Sequence, residues 1–404
     1  MTMKFLILNT DYPEFLQWLY AQHPGLEKQP YEEQMRARVE SLFGVADFYS
    51  SNLRKLGHEA WDVHANNEFM QRAWAREHGI KSVDHSANGI GQRAWGKGHW
   101  RETLQRARRI AAKTPLRYVK PFFRPVVRRL DSKQTWFYDI LAAQIQYYKP
   151  DILLNQAMGG VSSQFLKEMK PYVRLLVGEH AATRLPESED WRCYDLIISS
   201  FPPTIEWFRH KGIPAELNRL AFEPRVLSYL NNEGKPFDVT FVGSFHSVHK
   251  SRLALLQFLC AHIPNLRIWG PGIDRLPPGS PHRTCYAGQA WGKDMYQILR
   301  KSKITLNHHG DIPPYANNCR LYEATGVGTF LITDWKPNLH EMFEPGKEVV
   351  AYRTPEECVE LIQYYLEHDE EREAIARAGQ QRTLREHTYY QRMQELVEIV
   401  QKYI

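Results

Sequence analysis

The stretch VTFVGSFHSVHKSRLALLQFL, residues 239–259, combines a short apolar run, a glycine-serine turn and an apolar pattern at helical spacing. The β-branched and aromatic residues at its start predict a buried strand, and the leucines that follow predict a helix. A strand that leads directly into a helix is the repeating unit of parallel α/β sheets. This stretch therefore predicts an α/β fold.

The same unit recurs in both halves of the chain. In the first half, apolar runs predict strands near 4–9, 59–63, 151–155, 173–177, 195–199 and 216–220. In the second half they predict strands near 238–242, 266–269, 303–307, 329–333 and 348–352. The turn-rich segment 228–238 separates the two series. We therefore expect two Rossmann-like domains, at 1–228 and 236–387, and a C-terminal helix at 388–404 that packs back on the first domain.

Length and composition also favour a globular protein of two domains. The 404 residues exceed one ordinary core, and 43% of them are hydrophobic and 24% charged. No apolar run approaches the roughly 20 residues that span a bilayer, and the N-terminus lacks a signal-peptide pattern. The five cysteines are scattered singly, which argues against a disulfide framework or a structural zinc site. These features favour a cytoplasmic location.

A basic segment at 92–130 contains twelve Lys or Arg residues against the single acid Glu102. It lies in 64–131, which lacks the strand rhythm and is interpreted as a helical insertion in the first domain. The segment is either a solvated helical face or a surface attracted to the anionic inner face of a membrane, to which each cation adds about 1 kcal/mol. Nucleic acid is not expected as a partner, because no recognised nucleic-acid-binding fold accompanies the charge.

Glycine and polar residues follow the predicted strands of the second half. Ligands of doubly wound sheets bind at the carboxyl ends of the strands, where helix N-termini favour anions. Gly243 allows close approach of the backbone, and Ser244 offers a hydroxyl and an N–H. Lys250 and Arg252 can neutralise phosphate, although a plain turn with solvated cations is the alternative. Gly270 and Asn307 end two further strands and are candidate binding residues.

Arg320 and Glu323 are three positions apart and therefore share one face of a predicted helix. They form either a structural ion pair, worth roughly 0 to 1 kcal/mol on a surface, or two ligands for one molecule. In the second case Arg320 contacts a diphosphate and Glu323 accepts hydrogen bonds from a ribose diol. The nearby His308, His309 and Asp311 lack the spacing of a metal site, so no metal is predicted.

Candidate bases follow two strands of the first half. Glu179 and His180 come directly after a strand, where a side chain can face the cleft between the domains and remove a hydroxyl proton. A packed or solvated histidine is the alternative for His180. Asp11 follows the first strand and is a third candidate base.

Five stretches carry a resemblance: YDLIISSFPPTIEWFRHKGIPAELNRLAFEP at 194–224, VTFVGSFHSVHKSRL at 239–253, CRLYEATGVGTFLITD at 319–334, LHEMFEPGKEVVAY at 339–352 and TPEECVELIQYYLEHDEEREAIARAGQQRTLREHTYYQRM at 354–393. They resemble the bacterial glycosyltransferases often labelled spore-maturation-like, which have the GT-B fold. The resemblance covers about 190–404 and implies that the C-terminal domain binds a nucleotide-sugar donor and the N-terminal domain an acceptor. It also implies that Glu323 holds the ribose. Many retaining relatives have an acid where this chain has Tyr315, so the sugar-contacting role is vacant or moved to Asn317 or Asn318.

The resemblance implies a metal-independent, hexosyltransferase-like enzyme that moves a sugar to an acceptor hydroxyl. The acceptor is expected to be a sugar or glycoconjugate of cell-surface glycan synthesis, and the nucleotide-sugar is a substrate, with no separate cofactor. Two alternatives remain open. One is a sensor that binds a nucleotide-sugar without turnover, and the other is a GT-B sugar-nucleotide epimerase.

Overall fold

The computed structural model describes residues 2–80, 135–181, 185, 189–246, 249–310 and 315–404. They form two compact units, of which the first comprises Met1–Asn9, Met35–Val63 and Lys149–Ile404, and the second Thr10–Gln34 and His64–Tyr148. The first unit contains both β-sheets. The basic segment 92–130, and with it most of the predicted insertion 64–131, lies outside the described residues.

The N-terminal sheet has six strands in the order β2-β1-β3-β4-β5-β6. Its strands are β1 Lys4–Asn9, β2 Glu59–His64, β3 Ile152–Asn155, β4 Leu175–Glu179, β5 Leu196–Ser199 and β6 Ala215–Leu217. Strands β1, β3, β4, β5 and β6 pair in parallel. Every residue of β3 and β5 is buried, as expected for parallel strands covered by helices on both faces.

The C-terminal sheet also has six parallel strands, in the order β12-β11-β10-β7-β8-β9. Its strands are β7 Phe237–Val242, β8 Leu266–Trp269, β9 Tyr286–Gly288, β10 Ser302–Asn307, β11 Phe330–Asp334 and β12 Val350–Tyr352. The strand order reverses between β7 and β10, which creates the crevice where doubly wound sheets bind ligands. Strand β9 was not predicted, because its three residues Tyr-Ala-Gly carry no apolar pattern.

Helices flank both sheets. Those of the first half are α1 Pro13–Gln22, α2 Tyr31–Glu40, α3 Phe48–Lys55, α4 Glu68–Glu77, α5 Thr135–Tyr148, α6 Ser163–Met169 and α7 Pro202–His210. Those of the second half are α8 Lys250–His262, α9 His282–Cys285, α10 Gly292–Arg300, α11 Arg320–Gly326, α12 Pro355–Glu367, α13 Asp369–Glu386 and α14 Tyr389–Gln401. None of the described helices is long and apolar enough to cross a membrane.

The last helices begin where the sequence places their caps. The Thr354 side chain accepts a hydrogen bond from the Glu357 N–H at the start of α12. Thr388 and Gln391 form a reciprocal capping box at the start of α14. Both motifs satisfy N–H groups that the first turn of a helix leaves without partners, so they fix where these helices begin.

Helix α14 packs against α3 of the N-terminal half. The Tyr389 ring lies 5.2 Å from the Phe48 ring and 5.6 Å from the Tyr49 ring, measured between centroids. Just before α14, the backbone of Phe222 donates to His387 and accepts from Tyr389, at 2.8 and 3.0 Å. The residues at the start of α14 are therefore hydrogen-bonded to the segment that follows β6.

Candidate functional site

The turns that follow β7 and β8 lie side by side. The Gly243 N–H donates to the Trp269 carbonyl at 2.9 Å, and the Phe245 N–H donates to the Pro271 carbonyl at 3.0 Å. A Cβ on Gly270 would lie only 1.9 Å from the Gly243 carbonyl oxygen. Glycine at 270 is therefore required by the close approach of the two backbones, and it lets the turn at Gly243 and Ser244 border the crevice.

Arg320 and Glu323 lie on α11, at the same edge of the sheet. The Arg320 Nη1 atom is 2.8 Å from Glu323 Oε2, and both side chains are 13% exposed. Arg320 Nη2 also donates to the carbonyl of Val242, the last residue of β7, at 3.2 Å. No described residue hydrogen-bonds the buried Nε of Arg320. The two residues thus form an ion pair and also retain capacity to bind a ligand beside Gly243.

Asn307 and Asn318 lie at the same edge of the sheet but differ in their hydrogen bonds. Asn307 is buried, donates to Thr333 Oγ1 at 2.9 Å and accepts from Asn318 Nδ2 at 2.8 Å. The buried Oδ1 of Asn318 has no hydrogen-bond partner among the described residues. Asn307 therefore supports the loop before α11, whereas the Asn318 carbonyl oxygen could still accept a hydrogen bond.

Lys250 and Arg252 begin helix α8. Lys250 is exposed, and Arg252 is half-buried with its guanidinium carbon 5.7 Å from the centre of the Phe241 ring. Arg252 Nη2 donates to the His308 carbonyl, just past β10, at 3.1 Å. The structure therefore brings Arg252 to the carboxyl ends of β7 and β10, where Gly243, Ser244 and Asn307 lie.

His308 and His309 belong to a polar network with Asp334, the last residue of β11. His309 Nδ1 lies 2.6 Å from Asp334 Oδ1, and Lys336 Nζ lies 3.0 Å from Asp334 Oδ2. Burial alone would raise the pKa of the Asp334 carboxyl, but its contacts with His309 and the nearby charges hold that pKa well below its ordinary value. Asp311 lies outside the described residues, and the described ones contain no cluster of His, Cys, Asp or Glu that could hold a metal ion.

Glu179 ends β4 and is held by two neutral donors. Tyr49 OH donates to Glu179 Oε1 at 2.7 Å, and Gln156 Nε2 donates to Oε2 at 2.8 Å. Burial raises the pKa of the Glu179 carboxyl, and these two hydrogen bonds offset part of the increase. Sequence reasoning missed both donors. Gln156 could have been found because it follows β3 directly, whereas Tyr49 lies inside a helix and gives no such signal.

The backbone of His180 makes two hydrogen bonds. Its N–H donates to the Ile198 carbonyl at 3.2 Å, and its carbonyl accepts from Ser199 Oγ at 2.5 Å. The next residue, Ala181, accepts from Asn317 Nδ2 at 2.9 Å. The loop after β4 is therefore bonded to the loop before α11, so the carboxyl ends of the two sheets share one cleft.

Side chains from both halves of the chain act on Tyr389, a buried residue of α14. Burial raises the pKa of the Tyr389 phenol well above its ordinary value, and Cys319, Tyr296, Glu179 and Glu323 all add to the increase. Glu179, at the end of β4, and Glu323, on α11, are thus close enough to influence the same hydroxyl.

Asp11 belongs to the second unit, unlike Glu179 and His180. Its Oδ2 atom lies 3.1 Å from His64 Nδ1, and the side chains of both residues are almost fully buried. The Asn66 side chain accepts a hydrogen bond from the Asp11 N–H at 2.8 Å and donates one to the Asp11 carbonyl at 2.7 Å. These contacts anchor Asp11 in a polar cluster of its own unit.

Comparisons with known proteins agree with this architecture. The family model described as glycosyl transferase-like matches residues 252–398. A glycosyltransferase from Rickettsia africae has 10% identity and a TM-score of 0.56, over 100% of this chain and 98% of that one. The Anabaena protein HepE, solved in complex with UDP and glucose, has 12% identity and a TM-score of 0.54, over 99% of this chain and 100% of that one. No curated protein matches the sequence.

At such low identity these structural matches establish the fold. Both solved structures cover nearly the whole chain, including both six-stranded parallel sheets. The narrower likeness to spore-maturation-like proteins stays a prediction, as do the roles of individual residues. The α/β fold class and the GT-B architecture predicted from the sequence are confirmed, and the chain has the GT-B fold.

Proposed function

We propose that the protein is a glycosyltransferase that moves a sugar from a nucleotide-sugar donor to an acceptor hydroxyl. The observation that carries this proposal is the placement of Arg320 and Glu323 beside the end of β7 and Gly243, at an edge that the Asn317–Ala181 hydrogen bond joins to the loop after Glu179. This arrangement offers a cation for a diphosphate, a carboxylate for a ribose and a carboxyl group for a proton. The glycosyl transferase-like match over 252–398 supports the same reaction class.

The donor is proposed to bind along the carboxyl ends of β7 and β10. Arg320, Lys250 and Arg252 would neutralise the diphosphate as it leaves, together with the N-terminus of α8. Glu323 would accept hydrogen bonds from the ribose hydroxyls. Arg320 and Glu323 pair at 2.8 Å, so a donor bound by both would exchange this ion pair for contacts of its own. The UDP and glucose bound to HepE make a UDP-sugar the first donor to test.

The acceptor is proposed to approach from the N-terminal sheet. Glu179 and His180 lie at the end of β4, and the loop after them is bonded to the loop before α11 through Asn317 and Ala181. An acceptor hydroxyl placed there would have a base on one side and the donor sugar on the other. We further propose that the acceptor is a sugar or glycoconjugate of cell-surface glycan synthesis, reached from the cytoplasm. The basic segment 92–130 is proposed to attract the protein to the inner face of the membrane.

The proposal is tested by incubating the protein with a panel of nucleotide-sugars and measuring release of nucleoside diphosphate. A transferase releases it slowly with one donor by hydrolysis, and faster when an acceptor alcohol is added. A sensor binds the same donor, as calorimetry would show, but releases nothing. An epimerase converts the donor into a second nucleotide-sugar, which chromatography resolves. Either of the last two results would refute the proposed reaction.

A further inference from the structure

The carboxylate of Glu179 is held by residues from two other segments of the chain. Tyr49 comes from α3 and Gln156 from the turn after β3, and each donates to a different oxygen, at 2.7 and 2.8 Å. A carboxylate oxygen has two acceptor positions, so each oxygen retains one. Glu179 as a whole residue is half-buried. The carboxylate is therefore fixed in orientation and still free to take a proton.

The carboxylate of Glu179 has no cationic partner in the described part of the chain. No Lys, Arg or His there lies within ion-pair distance of it, whereas Glu323 and Asp334 pair with Arg320 and Lys336. Two neutral donors restrict the rotation of the carboxylate without cancelling its charge. A base needs this combination, because a cation at the same distance would weaken its affinity for a proton.

The groups that face Glu179 preserve the donor role of Tyr49. Burial and the Glu179 carboxylate both raise the pKa of the Tyr49 phenol well above its ordinary value, so the phenol keeps its proton and donates. Of the described residues, Tyr389 and Cys319 are two further titratable groups that interact with Glu179, and His180 follows it in the chain. The Tyr389 ring, from α14, lies 5.6 Å from the Tyr49 ring and packs on the side of Phe48 as well. Helix α14 thereby supports the Tyr49 ring, whose hydroxyl donates to Glu179.

We propose that Tyr49 is a positioning residue that holds Glu179 as the general base of sugar transfer. This inference rests on the proposed function and adds a role to a helix residue of the N-terminal half. In the step, the acceptor hydroxyl gives its proton to a Glu179 oxygen while the acceptor oxygen bonds to the anomeric carbon of the donor. The bond from that carbon to the diphosphate oxygen breaks, and its electron pair leaves with the diphosphate.

Tyr49→Phe removes the hydroxyl and keeps the packed ring. We expect the acceptor kcat/KM to fall roughly tenfold to a hundredfold, since a misplaced base loses rate on that scale. The acid limb of the pH profile should move to higher pH, because the carboxylate loses a hydrogen bond that favours its charged form. The affinity for nucleoside diphosphate should stay unchanged. An unaltered rate and pH profile would overturn the positioning role.

Tyr403→Phe is the matched control. Its hydroxyl also donates to a glutamate, Glu216 Oε1, at 2.9 Å, but from the C-terminal end of the chain to strand β6. The two variants lose the same chemical group, so a general effect on stability would appear in both melting temperatures. A rate loss and a shifted pH profile in Tyr403→Phe as well would contradict a specific role for Tyr49.

A direct titration separates this inference from the proposed function. The protein is labelled with ¹³C at the glutamate side-chain carboxyl, and the Glu179 signal is assigned with Glu179→Gln. In Tyr49→Phe this signal should titrate at higher pH than in the wild type. An unchanged titration overturns the positioning role even if sugar is transferred. A shifted titration in a protein that transfers no sugar rejects the proposed function and the base role, but shows that the Tyr49 contact is real.

Discussion

The two edges of the cleft are built in different ways. On the side of the C-terminal sheet, Asn307, Asn318, Arg320 and Glu323 come from one short stretch of sequence that ends a strand and begins a helix. On the side of the N-terminal sheet, Glu179 meets Tyr49 and Gln156 from segments 130 and 23 residues away. One edge is therefore a local motif, whereas the other exists only after the fold has formed.

The electrostatics of the two edges differ in the same way. Arg320 and Glu323 form an ion pair in which each charge is compensated by its neighbour. Glu179 is bonded only to uncharged donors, and burial raises the pKa of its carboxyl. We therefore expect the C-terminal edge to bind the charged donor and the N-terminal edge to accept the proton of the acceptor hydroxyl. Each of the following variants tests one side of this division.

The largest effect is expected at the N-terminal edge. Glu179→Gln keeps the size of the side chain and removes the base, so kcat should fall about 10²- to 10⁴-fold, as general-base catalysis contributes on that scale. His180→Ala should retain most of the rate and an unshifted pH profile, measured with the same donor and acceptor. If His180→Ala loses the rate and Glu179→Gln does not, the base assignment is reversed.

At the C-terminal edge, Arg320→Ala should lower kcat about 10²- to 10³-fold. A preorganised donor that stabilises a leaving group is worth roughly 3 to 4 kcal/mol of barrier. Arg209→Ala serves as control, because that arginine pairs with Glu216 at 3.4 Å on an exposed surface. The steady-state rates of the two variants are compared, and circular dichroism shows whether each keeps its fold. Wild-type turnover in Arg320→Ala would remove Arg320 from the reaction.

Glu323→Ala should act on binding more than on stability. A hydrogen bond to a charged group contributes about 1.5 to 3 kcal/mol, so the Kd for nucleoside diphosphate should rise roughly tenfold to a hundredfold. Calorimetric titration measures this affinity, and the melting temperature should change little. Glu344→Ala, at an exposed position, should bind like the wild type. Equal affinity of the Glu323 variant and the wild type would reject the ribose role.

The smallest effect concerns the segment that joins both edges to the C-terminal helix. His387 is buried, and burial lowers its pKa to about 4, with Arg392 and Arg382 adding to the decrease. Between pH 6.5 and 4 the unfolded chain binds a proton at this residue that the folded chain does not. The free energy of unfolding should therefore fall by about 2 kcal/mol from pH 7 to pH 5.

Urea titrations at the two pH values measure this decrease. His387→Gln should flatten the pH dependence, whereas His210→Gln, at an exposed position, should leave it unchanged. An equally steep dependence in His387→Gln would show that another group causes the loss of stability.

The sequence predicts this molecule best where the information is local. Eleven of the twelve strands in the described part of the chain are anticipated because each is an apolar run at a regular interval, and Thr354 and Thr388 cap helices where their motifs stand. The clustering of Arg320, Glu323 and Gly243 follows from one rule, that parallel strands meet at their carboxyl ends. The rule applies equally to Gln156, which was missed although it directly follows β3.

What the sequence did not predict depends on contacts between distant segments. Tyr49 lies in an amphipathic helix, where a buried aromatic residue is ordinary core, and nothing nearby marks its bond to Glu179. Asp334 ends a strand, but its polar network depends on a contact with His309, which is 25 residues away along the chain. Asp11, a candidate base by its position after β1, proves to belong to another unit together with His64.

The packing of α14 on α3 has a consequence for the synthesis of the protein. Tyr389 is made long after Tyr49, yet their rings are neighbours. Until α14 has been made, the aromatic surface of α3 lacks the cover that Tyr389 provides, and Tyr49 lacks this packing partner. We therefore expect the residues around Tyr49 to reach their final packing only after residue 389 has emerged from the ribosome.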